Sequence, residues 1–514
     1  MNIYYVDSVS GNDSFDGLSP EKAIATTQKA GELNLLPGDK LLFHCGQTFE
    51  GVLDITACGT PENPIIVSTY GSGGKPEIKA KSADHAVGIL GDGIEINGLS
   101  ITNTDGGKLG ILVRYANTGA AKHIYISNCH IHDVLYTSHE SHETGGITVV
   151  TSREAPSWYE DFRIENNHII NVERSGIFFS GFWYNRYGAL NWCCNDYIDD
   201  EHGWYPHKDI YVAGNLIEYP GGDGIVVIGA IKPLIEHNRV FHANWHAENK
   251  GASAGIWPMS CNGAVVQYNE VAYTHHPRGG DGMAYDVDQC SRDTIVQYNY
   301  SHHNEGGFLL ICNFIKNEEG RYISHHNTIV RNNVSINDAT LDNRPIFTIV
   351  GCFKDVFIEN NTIYKDDDNR FKMVELSDYS GLETFPRNVN FTNNLFFMKN
   401  PNGWNHFRGD GTATFDTNVF YGITLPHETE YVKVKNCLQY LPVVDKPGNA
   451  SNGRNTARCY IPQWHSRLTQ DGIKTASSAD KDFFGRPTED KTYIGAFIHT
   501  KEDDRDELRG FFPG

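Results

Sequence analysis

Long apolar runs are missing from this chain. Nothing approaches the ~18 consecutive apolar residues that a membrane-spanning helix needs, so no spanning segment is expected. The N-terminus, Met1-Asn2-Ile3-Tyr4-Tyr5-Val6-Asp7, lacks a basic stretch followed by an apolar core, so no secretion signal is visible. The eleven cysteines are odd in number and scattered. Only Cys193-Cys194 are adjacent and no Cys-x-x-Cys pair occurs, which argues against a disulfide framework and against a zinc cluster. Buried free thiols and a cytoplasmic location are the expectation. His-Glu-x-x-His and the phosphate-binding P-loop are absent, and no nucleophile elbow or dinucleotide fingerprint stands between a strand and a helix. No long stretch repeats its apolar residues with helical period, so helical solenoids are excluded too.

Acidic residues outnumber basic ones 64 to 43, giving a formal charge of −21. That sign disfavours nucleic acid and anionic membranes as partners, and a polyanionic substrate would need local cations. A neutral substrate is favoured. With 39% apolar and 21% charged residues, a packed core is feasible and global disorder is not expected.

What the chain does have is repetition. A motif of an apolar residue, two variable residues, Asn, a variable residue and a second apolar residue recurs. Examples are Ile164-Glu165-Asn166-Asn167-His168-Ile169, Val212-Ala213-Gly214-Asn215-Leu216-Ile217 and Val266-Gln267-Tyr268-Asn269-Glu270-Val271. From Asn215 to Asn394 the steps are 23, 31, 30, 34, 28 and 33 residues. A period of 20–50 residues means a stacked architecture. Asn tolerates left-handed backbone and bonds local main chain, and Asn side chains at one corner of successive coils can bond one another in a ladder. The flanking segments are short, β-branched and alternating. A second strand series runs in step, through Gly146-Ile147, Gly176-Ile177, Gly224-Ile225, Gly255-Ile256, Gly282-Met283 and Gly307-Phe308. The predicted fold is all-β, a right-handed parallel β-helix.

Residues 1–89 read as a capping segment and first coils, with residues 21–35 forming the capping helix. Residues 90–425 read as the β-helix body, and 426–514 as C-terminal coils and a closing segment. Open coil ends need such covers. The insert at 183–208 breaks the spacing, and long loops on a solenoid tend to build a binding face.

Such a scaffold acquires function only from a site. Neighbouring coils stack ~4.8 Å apart, so carboxylates on adjacent coils fall ~5 Å apart and those two coils apart ~10 Å. These spacings bracket the ~5–5.5 Å of retaining and ~6.5–9.5 Å of inverting glycosidases. The densest acidic cluster is Asp281-Gly282-Met283-Ala284-Tyr285-Asp286-Val287-Asp288. With Met283, Tyr285 and Val287 inward, Asp286 and Asp288 face outward and Asp281 sits at the preceding turn. Aligning the strands places Ile228, Met259 and Ile311 in the column of Asp286, so an acid there is exceptional. Carboxylates so crowded cannot all ionise freely, which is what a general acid beside a nucleophile requires. A Ca²⁺ site or a solvated acidic turn is the plainer alternative, and no cofactor is required.

Glu305 lies one coil on and is the reserve catalytic candidate. Asp223, in Gly221-Gly222-Asp223-Gly224, is either a turn former or a substrate ligand. Trp257 falls outward and is a candidate sugar platform, while Trp183, Trp192, Trp204 and Trp245 lie in loops. His275, His276 and His303 flank the acidic cluster and can bind hydroxyls. Glu248 sits in a connection.

The stretch Asp281 to Asp288, with Tyr298-Asn299-Tyr300-Ser301-His302 and Gly306-Gly307-Phe308-Leu309-Leu310, resembles β-helix glycoside hydrolases of gut bacteria. Resemblance to the lacto-N-biosidase-like group implies Asp281 as acid/base and Asp288 as nucleophile. Resemblance to the β-xylosidase-like group implies Asp286 as nucleophile, but the Glu that group carries one coil later is missing from Leu309 to Ile311. The expectation is a glycoside hydrolase acting on an oligosaccharide through Asp281, Asp286 and Asp288. The rivals are a uronate-directed lyase or epimerase, for which Arg278 and Arg292 are the nearby bases, and a non-catalytic glycan-binding β-helix.

Overall fold

The computed structural model describes residues 1–136, 142–183, 204–245, 253–276, 280–314, 325–489 and 491–499. Most of the insert expected to form a binding face, and with it Trp192, Glu248 and Arg278, lies outside the described residues. The strands form three long parallel sheets, and the fold is the parallel β-helix that the repeat predicted. Among the described residues no helix is long and apolar enough to cross a membrane.

The chain divides into two compact units. One comprises Met1–Ala264 with Thr274–Gly282; the other comprises Val265–Tyr273, Met283–Phe314 and the described residues from His325 onward. In the first unit, β-branched residues stack in register into three apolar columns. Ile126, Ile164, Val212 and Ile235 form one. Ile131, Ile169, Ile217 and Val240 form the second, and Ile147, Ile177, Ile225 and Ile256 the third. All are essentially inaccessible to solvent. The second unit repeats the plan, for instance with Tyr285, Leu309 and Phe347 in one column.

The Asn ladder is present in both units. In the first, Asn167 donates from Nδ2 to Oδ1 of Asn215 at 3.0 Å, and Asn215 to Asn238 at 2.9 Å. In the second, the chain of donors runs Asn269, Asn299, Asn333, Asn361, Asn394, Asn418. From Asn299 to Asn418 the side chains also accept from or donate to buried main chain, which answers the corner's need for partners. The left-handed backbone falls one residue earlier than expected. Asn166, Gly214, Tyr268, Tyr298 and Asn332, each just before a ladder Asn, carry the positive φ.

The N-terminal cap contains a shorter helix than the sequence suggested. It spans Thr27–Gly31, with the Thr26 hydroxyl accepting from the Lys29 amide, after a 3-10 turn at Pro20–Lys22. Ala30 and Thr27 are buried, and the Gly31 backbone lies against Asp54. At the other end, the closing segment packs against the outer face of one sheet of the second unit. Phe483, Phe484 and Phe497 join Tyr300, Ile336, Tyr364 and Phe397 in one apolar cluster. The half-buried Arg454 places its guanidinium there over the rings of Tyr268 and Phe483.

Candidate active site

In the first unit, Thr148, Phe178, Val226 and Trp257 occupy successive coils on the outer face of the third sheet. Asp223, in the Gly-rich turn before one of these strands, is completely buried beneath Trp257. Its Oδ1 accepts from the Trp257 indole at 2.8 Å and from the Ala254 amide at 3.1 Å. Its Oδ2 lies 2.8 Å from Nδ1 of His142 and 3.4 Å from Nη2 of Arg174. Burial pushes this carboxyl up, but the Arg174 and His142 charges and the hydrogen bonds outweigh it and hold Asp223 below the usual carboxylate range. Asp223 is therefore a fixed anion that locks Trp257 and Arg174, beyond the turn-forming role its neighbours suggested.

Trp257 itself is only 7% exposed. It is not the open stacking platform expected from its outward position, because its N–H is committed below and the His142 ring stands edge-on to it, 5.8 Å away. Among the described residues the open tryptophan of this unit is Trp245, at 45% exposure. Trp183 and Trp204 serve the fold: Trp183 donates to the Ser152 carbonyl, and Trp204 is buried.

Asp281 pairs by an isolated bridge with Ser253, whose hydroxyl accepts from Arg174. Asp281 and Gly282 both have positive φ. A Cβ on Gly282 would stand 2.7 Å from Cα of His276 and 2.9 Å from the His275 carbonyl, so only glycine fits this crossing. The arrangement sets Gly282, the residue after Asp281, against His275 and His276. The letters Gly251-Ala252-Ser253-Ala254-Gly255 match a nucleophile-elbow motif, but Ser253 leads into the strand Ile256–Met259 and not into a helix.

In the second unit the strand Met283–Val287 pairs with Gly307–Asn313, bringing Tyr285 to Leu309, Asp286 to Leu310 and Val287 to Ile311. This corrects the sequence alignment by one residue: Leu310, not Ile311, shares the column of Asp286. Tyr285 and Val287 are inward as expected, and the Tyr285 hydroxyl reaches the carbonyls of Asn269 and Tyr300. Met283 departs from that parity and packs with Leu310, Cys312 and Val350. Asp286 is 5% exposed, while Asp288 is half-buried at the strand end.

One ligand atom from each of Asp286, Asp288 and Cys312 lies within 4.8 Å of the others. Cys312 donates to Oδ1 of Asp288 at 3.0 Å, and the Gln289 amide donates to the same oxygen at 2.7 Å. Cys312 was missed from sequence, although the corrected register sets it one rung from Asp288. A sulfur donor does not suit hard Ca²⁺, so this trio does not fit the calcium site considered above. Glu305 is half-buried in the turn before Gly307. His303 is gathered with Tyr273 and His302, and burial together with the neighbouring His302 holds it below the ordinary histidine value. Arg292, one of the bases considered for a lyase, is buried, and Arg278 lies outside the described residues.

No protein-family model matches the chain. It is 26% identical, over 506 residues, to the lacto-N-biosidase of Bifidobacterium longum subsp. longum, covering 81% of this chain. The chain spans 30% of that relative's length. A solved GH136 lacto-N-biosidase from Eubacterium ramulus is also 26% identical, with a TM-score of 0.58, covering 73% of this chain and 67% of its own. The likeness is to lacto-N-biosidases. The complex of XylC with xylose, 13% identical at a TM-score of 0.54 and covering 97% and 98% of the two chains, shares the fold.

Proposed function

We propose that this chain is a glycoside hydrolase that cleaves a glycosidic bond in an oligosaccharide. The observation that carries the reading is the pairing of Asp286 and Asp288 on one strand face, with side-chain oxygens within 4.8 Å. That bound falls below the ~5–5.5 Å between the acid/base and nucleophile of retaining glycosidases, so the pair reads as a nucleophile, Asp288, with Asp286 as its flanking carboxylate. The two donors on Oδ1 of Asp288 fix its rotamer, as an attacking carboxylate requires. Asp281 joins the set through the resemblance stated above, seven positions before Asp288, as the acid/base. Glu305 is held in reserve. His275 and His276, which lie against Gly282, serve in this reading as hydroxyl ligands. The lacto-N-biosidases to which the chain is similar support this reading and make an oligosaccharide containing lacto-N-biose the first substrate to try.

The test is a screen of aryl glycosides and neutral oligosaccharides with the wild type and with Asp281→Asn, Asp286→Asn and Asp288→Asn. Loss of an acid/base or nucleophile is expected to lower kcat by at least ~10²-fold. Hydrolysis that survives all three changes undiminished would sink the proposal.

A further inference from the structure

A cavity of about 480 Å³ opens in the first unit on the outer face of the sheet that carries Trp257. Leu112 and Thr148, paired across neighbouring coils, form its floor. Thr148 pairs with Phe178, Phe178 with Val226 and Val226 with Trp257, so cavity and tryptophan share one face, three coil steps or ~14 Å apart. On one rim the Lys108 ammonium sits 2.5 Å from Asp84 and 5.8 Å from the centre of the Tyr136 ring. Arg114 is exposed beside it. Glu143 and Thr144 form the other rim. They directly follow His142, which is bound to Asp223. One short segment thus walls both places, its histidine on the Asp223–Trp257 cluster and its next two residues on the cavity.

We propose that this cavity is a second carbohydrate-binding site, taking one or two neutral pyranose units. Its volume lies in the ~300–1,000 Å³ range of small-molecule sites. The lining combines donors and acceptors: Lys108, paired with Asp84, then Arg114, Glu143 and the hydroxyls of Thr144 and Thr148, the last of which donates to the Glu143 carbonyl. Planar guanidinium and carboxylate heads suit vicinal diols, which need a donor and an acceptor side by side. Tyr136 supplies a flat face for sugar C–H groups. An anionic ligand would meet two carboxylates, and an apolar one would strip water from four charged heads without replacing it. The inference rests on the glycoside reading for its biological sense, but binding here needs no hydrolysis.

The test uses the full chain carrying Asp288→Asn, titrated with lacto-N-biose and a longer neutral oligosaccharide containing it by calorimetry and saturation-transfer NMR. Combining Arg114→Ala with Tyr136→Ala is expected to remove one binding event or weaken it at least about tenfold. Val150→Trp, which blocks the cavity from its half-buried rim, is expected to do the same. Thermal unfolding should be unchanged in at least one of the two variants. Binding that neither variant alters, an absence of any saccharide binding, or tighter binding of a uronate-containing disaccharide than of the neutral one would overturn the assignment. The two readings separate cleanly. A wild type that hydrolyses nothing, while the cavity variants lose sugar, sinks the hydrolase and keeps this site. Hydrolysis abolished by Asp288→Asn, with binding indifferent to the cavity variants, does the reverse.

Discussion

The Cys312 thiol donates to Oδ1 of Asp288 across 3.0 Å, joining a residue of one strand to the carboxylate at the end of its neighbour. A cysteine in this place orients an acid without competing with it for charge. Cys312→Ala is expected to lower kcat about tenfold with KM little changed, the size of one lost hydrogen bond of ~1.4 kcal/mol. Cys312→Ser should restore most of the rate. Steady-state kinetics on any substrate found in the screen decides this, and equal rates in Cys312→Ala and wild type would remove the thiol from the site.

Asp223 anchors Arg174, His142 and Trp257 from a position without solvent access. Asp223→Asn leaves the buried Arg174 without its counter-charge, and such a loss costs about 3–5 kcal/mol. The folded-state carboxyl is held low, so its contribution is present above the ordinary carboxylate range and disappears as pH falls through the folded value. Urea unfolding at neutral pH should show the full deficit of the variant, and unfolding at strongly acidic pH should show it shrinking.

Within the second unit, Asn299 donates to the Val266 carbonyl and to Asn333 while accepting from Asn269. Asn299→Ala orphans several buried groups at once, at ~1–3 kcal/mol each. A loss of about 3 kcal/mol is expected in denaturant unfolding, against less than ~0.5 kcal/mol for alanine at an exposed site such as Lys433.

His207 is fully buried, accepts from the Tyr159 amide at Nδ1 and has its pKa pushed down to about 3 by burial. The unfolded chain titrates this residue near 6.5, so between 6.5 and about 3 the unfolded state holds more protons. Stability is full above 6.5 and falls as pH drops through that window. The melting temperature should decline on acidification below about pH 6, with a shallower decline in His207→Gln. Identical slopes in the two proteins would count against the assignment.

Trp245 stands against Tyr219, His242 and His275, with the rings of Tyr219 and His242 stacked 4.6 Å apart. His275 in turn lies beside Gly282, next to Asp281. Trp245→Ala is expected to raise KM for an oligosaccharide by about tenfold and to leave a short aryl glycoside nearly unaffected, as loss of an aromatic anchor does. A uniform change for both substrates would assign the tryptophan to packing.

The sequence carried the fold because the β-helix repeats its chemistry. The ladder that includes Asn215, Asn299 and Asn394 recurs at steps of 23 to 34 residues, and the need of each corner for buried hydrogen bonds favours the residue type. Local departures from the repeat were harder to read. Asp281 and Gly282 both adopt left-handed backbone, which slips the register after them and moves Asp286 from the expected Ile311 to Leu310. Cys312 followed from that slip and was invisible without it. Trp257 looked exposed because parity reports direction and not cover, and its cover comes from His142, more than a hundred positions away in the chain. The helix within 21–35 shrank to Thr27–Gly31 because capping one strand edge takes little more than one turn.

The closing segment that lies over Tyr300, Ile336, Tyr364 and Phe397 leaves the ribosome only after the coils it covers. Until Phe483 and Phe497 emerge, a belt of aromatic and branched side chains on nascent coils stands bare to water. A chain interrupted near residue 440 would keep its strands and lose its coat, leaving a sticky flank of the kind that chaperones hold.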